Sequence, residues 1–166
     1  KKYNAEWGLV TGASSGIGKA LAEKLCSQGI NVVLVALDEP LLHETKAELA
    51  KRYPNLEIRA VGADLSKDGY MEKIKKGTDD ILVSLIFNNA GFMKTGMFAD
   101  VPVDLHLANH ECNCTCAVRI THHFLNKLLD TGSKGFIAFT SSPAGCIPSP
   151  FASMYGSTKA FMTEFA

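Results

Sequence analysis

The chain has 166 residues, about one domain's worth, with 46% hydrophobic, 8% aromatic and 20% charged residues. That composition excludes disordered, collagen-like and low-complexity classes. Seventeen basic residues balance seventeen acidic ones, so there is no basic field for a phosphate backbone and nucleic acid is excluded as a main partner.

Apolar runs and helical patterns alternate along the whole chain. Residues 7–10 form the first predicted strand. Gly16–Ser27 is the first helix, with Ile17, Ala20, Leu21 and Leu25 on one side and Gly29 just past its end. Asn31–Ala36 is a Val-rich run, of the kind that suits a parallel strand covered on both faces. Residues 40–51 read as a helix with Pro40 in its first turn. A third strand covers 56–61, and a helix capped by Ser66 covers 66–76. The fourth strand is 81–88. One long helical stretch covers 105–129, closed by Thr131 and Gly132. The fifth strand is 135–140, and a last helix starts at Ser153 with Met154, Thr158, Phe161, Met162 and Phe165 on one stripe.

Strictly alternating strands and helices imply βαβ units, a parallel sheet and helices on both faces. The predicted fold is therefore α/β with a doubly wound parallel sheet, in one domain. Its second half has two strands and then a helix. A crossover helix returns to a strand, and nothing near Ala166 reads as a helix stop. The expectation is a domain that is incomplete at residue 166. No apolar run reaches the roughly 20 residues of a membrane helix. The five cysteines, Cys26, Cys112, Cys114, Cys116 and Cys146, form no even framework. Reduced thiols in a cytoplasmic-type compartment are expected. Cys112 and Cys116 share a face at helical spacing while Cys114 points away, so no metal site is expected.

The loop after the first strand reads Thr11-Gly12-Ala13-Ser14-Ser15-Gly16-Ile17-Gly18. Gly12 allows a tight turn, Gly16 lets the backbone approach a bound group, and Gly18 lets the helix pack closely. The helix start offers free N–H groups and the positive end of a dipole, where a pyrophosphate can sit. Gly18-Lys19 resembles the end of a phosphate-binding P-loop. However, Ala13 stands at its first glycine and Ala20 at its Ser/Thr, so that reading fails.

Further along come Asn88-Asn89-Ala90-Gly91 after the fourth strand, Ser142 after the fifth, and Tyr155-Gly-Ser-Thr-Lys159 in the last helix. With the glycine loop, these motifs resemble the short-chain dehydrogenase/reductase family over residues 11–159. The resemblance implies a Rossmann-type fold and a nicotinamide dinucleotide, NAD(P)(H). It also implies hydride transfer to or from a carbonyl or secondary alcohol. In it Tyr155 is the general acid/base, Lys159 holds the nicotinamide ribose and lowers the tyrosine pKa, and Ser142 orients the substrate. Asn113 matches the helix asparagine that holds a water in the proton relay, although the surrounding segment 110–116 departs from the family's pattern. Asp64 and Leu65 match the adenine contact. Asn89, Ala90 and Gly91 match the stretch beside the cofactor, and Ser14, Ser15 and Ile17 belong to the pyrophosphate loop. The resemblance further implies a homodimer or homotetramer paired through the helices at 105–130 and 153 onward.

The residues support this chemistry independently. Tyr155 and Lys159 are four apart in a helical pattern and share a face. A phenol near pKa 10 needs a neighbouring cation to act near neutrality. Ser142 lies at the carboxyl end of a strand, where ligands of open α/β sheets bind, and its hydroxyl can donate to a developing oxyanion. At the tip of the second strand, Leu37 stands where the family often has a deciding Asp or Arg, followed by Asp38 and Glu39. Two carboxylates without a cation favour NAD on charge, yet both could cap the next helix, so NAD versus NADP stays open. Phe92, Met93, Met97, Phe98 and Phe151 hint at an apolar substrate. Lys1-Lys2-Tyr3 ahead of Trp7, together with Pro148, resembles the hydroxysteroid and 3-oxoacyl-thioester reductase branch, some of whose members carry an upstream membrane anchor. Two rivals stand beside this reading. One is a non-enzymatic dinucleotide-binding or scaffold protein. The other is an epimerase or dehydratase of the extended group, disfavoured by G-x-x-x-G-x-G spacing.

Overall fold

The computed structural model describes residues 5–166, so Lys1-Lys2-Tyr3 lies outside the described residues. In chain order the elements are β1 (Trp7–Thr11), α1 (Gly16–Ser27), β2 (Asn31–Ala36), α2 (Pro40–Arg52), β3 (Ile58–Gly62), α3 (Tyr70–Lys76), β4 (Val83–Asn88), α4 (Val103–His110), α5 (Cys116–Asp130), β5 (Phe136–Phe139) and α6 (Ser153–Phe165). The strands make one sheet in the order β3-β2-β1-β4-β5, parallel throughout. This is the doubly wound α/β plan expected from the alternation.

The central strands are covered on both faces, which is why their sequences are continuous apolar runs. Every residue of β1 is buried, as is β2 from Val32 to Ala36. Alternate side chains go to opposite sides. Leu9, Val33, Val35 and Ile86 meet Tyr70, Ile74, Ile120 and Phe124 from α3 and α5. Val10, Val32, Leu34 and Leu85 meet Leu25, Leu42 and Leu49 from α1 and α2.

Two predicted elements need correction. The helix expected over 66–76 begins only at Tyr70, entered through Gly69 at φ 88°. Ser66 does not cap it. The Ser66 N–H and hydroxyl instead donate to Asp64 Oδ1, at 3.0 and 2.6 Å. An acceptor two residues back wins locally over a helix start.

The stretch expected as one helix over 105–129 is interrupted by a π-turn, Glu111–Thr115. Widening a helix frees backbone groups from their usual partners. Here the Cys116 thiol donates to the Cys112 carbonyl at 2.9 Å. The turn is also held from outside, because the buried Tyr70 hydroxyl donates to Glu111 Oε1 at 2.6 Å. Among the described residues, no helix is long and apolar enough to cross a membrane.

Candidate active site

A cleft of about 860 Å³ runs along the carboxyl ends of the strands. It crosses the point where β1 has β2 on one side and β4 on the other. That switch point is where open α/β sheets bind ligands. The walls come from the turns after all five strands, from Cys112 in the π-turn, and from Tyr155 and Lys159 on α6. The structure thus brings together Gly12, Ser14, Ser15, Gly16, Ile17, Gly18, Leu37, Asp64, Leu65, Asn89, Ala90, Gly91, Ser142, Tyr155 and Lys159.

The glycine loop is shaped for close approach. Gly12 has φ +64°, and a Cβ there would lie 2.9 Å from the Ala90 Cα. At Gly18 a Cβ would lie 2.1 Å from the Gly12 carbonyl oxygen, a rigid backbone atom. Gly18→Ala is therefore expected to destabilise the protein by about 2 kcal/mol, read from the denaturation midpoint. An unchanged midpoint would contradict the tight seat of α1. Beside Gly16 a Cβ would meet nothing within 4 Å, so the cleft is open there. Ser15 caps α1 without a side-chain bond, and the first turn holds no acidic residue. The positive end of this helix is thus uncompensated and faces the cleft, which fits a pyrophosphate.

At the far end, Leu37 and Glu39 line the cleft but Asp38 does not. Asp38 leans over Gly62, where a Cβ would sit 2.5 Å from its own Cβ, and its carboxylate pairs with His43 at 2.9 Å. Asp64 lines the wall, yet its carboxylate is already engaged by Ser66 and by Lys67 at 3.1 Å. Burial alone would raise the Asp64 pKa. The Ser66 hydrogen bonds and the Lys67 ammonium outweigh that and hold it below the usual value.

A line of hydrogen bonds joins the strand ends. The Asn89 and Ala90 N–H groups both donate to Thr11 Oγ1 at 2.9 Å. Asn89 Nδ2 donates to the Thr11 carbonyl at 3.0 Å. The Thr140 hydroxyl donates to Asn89 Oδ1 at 3.1 Å. Lys159 Nζ donates to the Thr140 carbonyl at 2.7 Å.

Lys159 is only 4% exposed, and no carboxylate among the described residues pairs with it. Burial pushes its pKa below the ordinary lysine value, against the smaller opposing pull of Cys114, Cys112 and Cys116. Its ammonium lies 5.7 Å from the Tyr155 ring centroid. Ser142 Oγ accepts from the Ala144 N–H at 3.2 Å. That bond uses a lone pair and leaves the hydroxyl proton to donate elsewhere.

Asn113 sits behind the cleft rather than in its wall. Its Oδ1 accepts from the Phe92 N–H at 3.0 Å. Its Nδ2 donates to the Phe92 carbonyl at 3.0 Å and to Thr158 Oγ1 at 3.1 Å. Both amide protons and one lone pair of Oδ1 are thus committed to the protein.

Glu39 and Phe92, read from the sequence as a cofactor-end carboxylate and an apolar rim residue, both line the wall, and three further wall residues escaped the sequence reading: Cys112, Thr140 and Ser141. Thr140 and Ser141 were findable, since they directly precede Ser142 at a strand end. Cys112 was not, because the π-turn sets its direction. Burial pushes its thiol up to about 11. Cys114 instead reaches the Thr158 carbonyl at 3.5 Å, and Cys116 joins the core around Ile120. Among the described residues no three His, Cys, Asp or Glu side chains gather as a metal site. A smaller depression of about 410 Å³ lies between Phe98, Val101, His106, Leu107 and Met154.

The chain is similar to known proteins over almost its whole length. The chain is 32% identical to the mouse (Mus musculus) very-long-chain 3-oxoacyl-CoA reductase, over 97% of its own length and 52% of the relative's. It is equally identical to the 7beta-hydroxysteroid dehydrogenase of Collinsella aerofaciens, over 99% of its length and 61% of the relative's. A short-chain dehydrogenase from Sphingobium yanoikuyae, solved in complex with NADPH, superposes with a TM-score of 0.87 at 29% identity. That match covers 96% of this chain and 62% of the other. The chain thus spans little more than half the length of these relatives. The short chain dehydrogenase family profile matches residues 6–166. With that match over almost the whole chain, and the glycine loop, Asn89, Ser142, Tyr155 and Lys159 gathered along one cleft, the protein belongs to the short-chain dehydrogenase/reductase family.

Proposed function

We propose that the whole protein is an NAD(P)(H)-dependent oxidoreductase that interconverts a carbonyl and a secondary alcohol. The observation that carries this reading is Lys159. A buried ammonium with no carboxylate partner is costly to fold around, and this one lies beside a tyrosine in the cleft wall. Perturbed groups of this kind mark functional sites. A scaffold protein would have no use for the cost.

The residues fit a dinucleotide along the cleft. The start of α1, Ser14 to Gly18, would hold the pyrophosphate. Leu37 and Glu39, with Asp64 and Leu65, would flank the adenosine, while Asn89 to Gly91 and Lys159 would lie along the nicotinamide half. The nicotinamide supplies or accepts the hydride when bound. Tyr155 gives its phenolic proton to the substrate oxygen in reduction, or takes it in oxidation. Lys159 stabilises the phenolate left behind by its charge. Ser142 donates to the same substrate oxygen as negative charge develops there. Asn113 holds Phe92 and α6 in place, so that these groups keep their spacing.

The substrate we infer is apolar. Phe92 lines the cleft, Met154 of the neighbouring depression directly precedes Tyr155, and Met93, Met97, Phe98 and Phe151 are exposed nearby in the chain. The names of the two curated relatives specify a very-long-chain 3-oxoacyl thioester and a hydroxysteroid, each with a large hydrocarbon part. Pairing into a homodimer or homotetramer remains our expectation, supported by exposed Leu125 and Leu129 on α5 and Phe161 and Phe165 on α6. Five free thiols suit a reducing, cytoplasmic-type setting.

The test is a paired titration of the full-length protein with NADH and NADPH, followed by a panel of apolar ketones. Binding of neither dinucleotide would sink the proposal. Leu37 also sets an expectation for cofactor choice, because the wall there carries no cation. Leu37→Arg is expected to raise affinity for NADPH relative to NADH about 10-fold, through a charge-assisted bond to the 2′-phosphate. An unmoved ratio would show that the adenosine lies elsewhere.

A further inference from the structure

The glycine loop is anchored on three sides, one of them by a residue of α2, a helix with no residue in the cleft wall. Thr11 and Asn89 hold its root. The Ala13 N–H donates to the Val35 carbonyl at 3.3 Å. On the outer side Thr45, from the middle of α2, donates its hydroxyl to the Ser14 carbonyl at 2.9 Å. Thr45 is 1% exposed and does not line the cleft.

From these contacts we infer that Thr45 is a positioning residue for dinucleotide binding, acting through the Ser14 carbonyl. The inference rests on the proposed dinucleotide site. A peptide unit has two ends. Fixing the Ser14 carbonyl toward α2 fixes the plane that carries the Ser15 N–H, and Ser15 enters α1 at the cleft. The backbone donors meant for an anion are thereby aimed before the ligand arrives. Preorganised donors bind more tightly than donors that must first be ordered. Without the hydroxyl, the Ser14 carbonyl loses the donor that the buried Thr45 supplies. The peptide plane then gains freedom to rotate.

The same residue sets adenosine and pyrophosphate contacts in one frame. α2 begins directly after Leu37 and Glu39, which line the adenosine end of the cleft. Its exposed side pairs with α1 through Lys19 and Glu48 at 2.6 Å, and through Arg52 and Glu23. Those exposed pairs contribute little. The buried Thr45 hydrogen bond is the contact that reaches the loop itself.

Two variants separate the hydroxyl from the methyl group. Thr45→Val keeps shape and removes the donor, while Thr45→Ser keeps the donor and removes a methyl. In the full-length protein Thr45→Val is expected to weaken NADH or NADPH binding about 10-fold, equivalent to about 1.4 kcal/mol. The cofactor KM should rise to match, with kcat at saturating cofactor unchanged. Thr45→Ser is expected to bind within about 2-fold of wild type. A loss shared by both variants, or confined to Thr45→Ser, makes Thr45 a packing residue and overturns the inference. Tight binding by Thr45→Val overturns it too. If Thr45→Val does not fold, weakened binding by a folded Thr45→Ser is enough to reject it. Wild-type protein that binds neither dinucleotide removes the proposed site and the tether with it, whereas wild-type binding with a tight Thr45→Val variant removes the tether alone.

Discussion

Replacing Tyr155 with Phe is expected to lower turnover by about 10³-fold while leaving dinucleotide affinity within about 3-fold of wild type. The two readouts separate because the substitution removes one oxygen and one proton. The ring that lies 5.7 Å from the Lys159 ammonium stays in place. Most of the cleft wall, from Gly12 to Gly18 and from Asn89 to Gly91, is untouched. What disappears is the group that exchanges a proton with the substrate oxygen. Single-turnover hydride transfer, followed by the loss of NADH or NADPH absorbance, measures the chemical step directly. Undiminished turnover in Tyr155→Phe would move the acid/base role elsewhere and undo the assignment. A parallel loss of cofactor binding would make Tyr155 a binding residue instead.

Lys159→Met carries the second large expectation, and its two halves run in opposite directions. Turnover should fall by about 10²- to 10³-fold, since the phenolate loses its compensating charge. Stability should not fall with it. Methionine has nearly the same length, and it removes a buried charge that has one carbonyl partner and no carboxylate. The thermal midpoint near neutral pH is expected to hold or rise. The sign follows from the depressed Lys159 pKa. Below that pKa the native state must carry the buried ammonium, which costs stability relative to the unfolded chain. As pH rises through it, the amine sheds its proton and the cost is relieved, up to the ordinary lysine value. Wild-type stability should therefore gain on the alkaline side relative to Lys159→Met. A midpoint that drops sharply in the variant would show that Lys159 is a structural residue.

Much of the architecture could be read before any coordinates. The Val-rich run of β2 and the spacing of Gly12, Gly16 and Gly18 are local signals, and each depends on neighbours close in the chain. The order of the motifs then placed Ser142, Tyr155 and Lys159 at strand ends and on one helix face. The features that escaped depend on distant partners. The π-turn is supported by Phe92, Thr158 and Tyr70, none of them near it in sequence. Ser66 matched a helix cap by type, but Asp64 captured it. Asp38 and Glu39 were indistinguishable by charge. The absence of a side chain at Gly62 lets Asp38 lie outward against β3, and His43 holds it there. Thr45 gave no signal at all, because its partner is a backbone carbonyl thirty-one positions away.

The hydrogen-bonded line from Thr11 through Asn89 and Thr140 to Lys159 has one more consequence. It gives the glycine loop and the lysine a common mechanical reference. Twisting or breathing of the sheet carries both along as one body, so their separation is kept even when the strands shift. A dinucleotide spanning the cleft then meets a fixed ruler rather than two independently fluctuating ends. Shortening or loosening any link would spread positional error to both ends at once, and substitutions along the line would not combine additively.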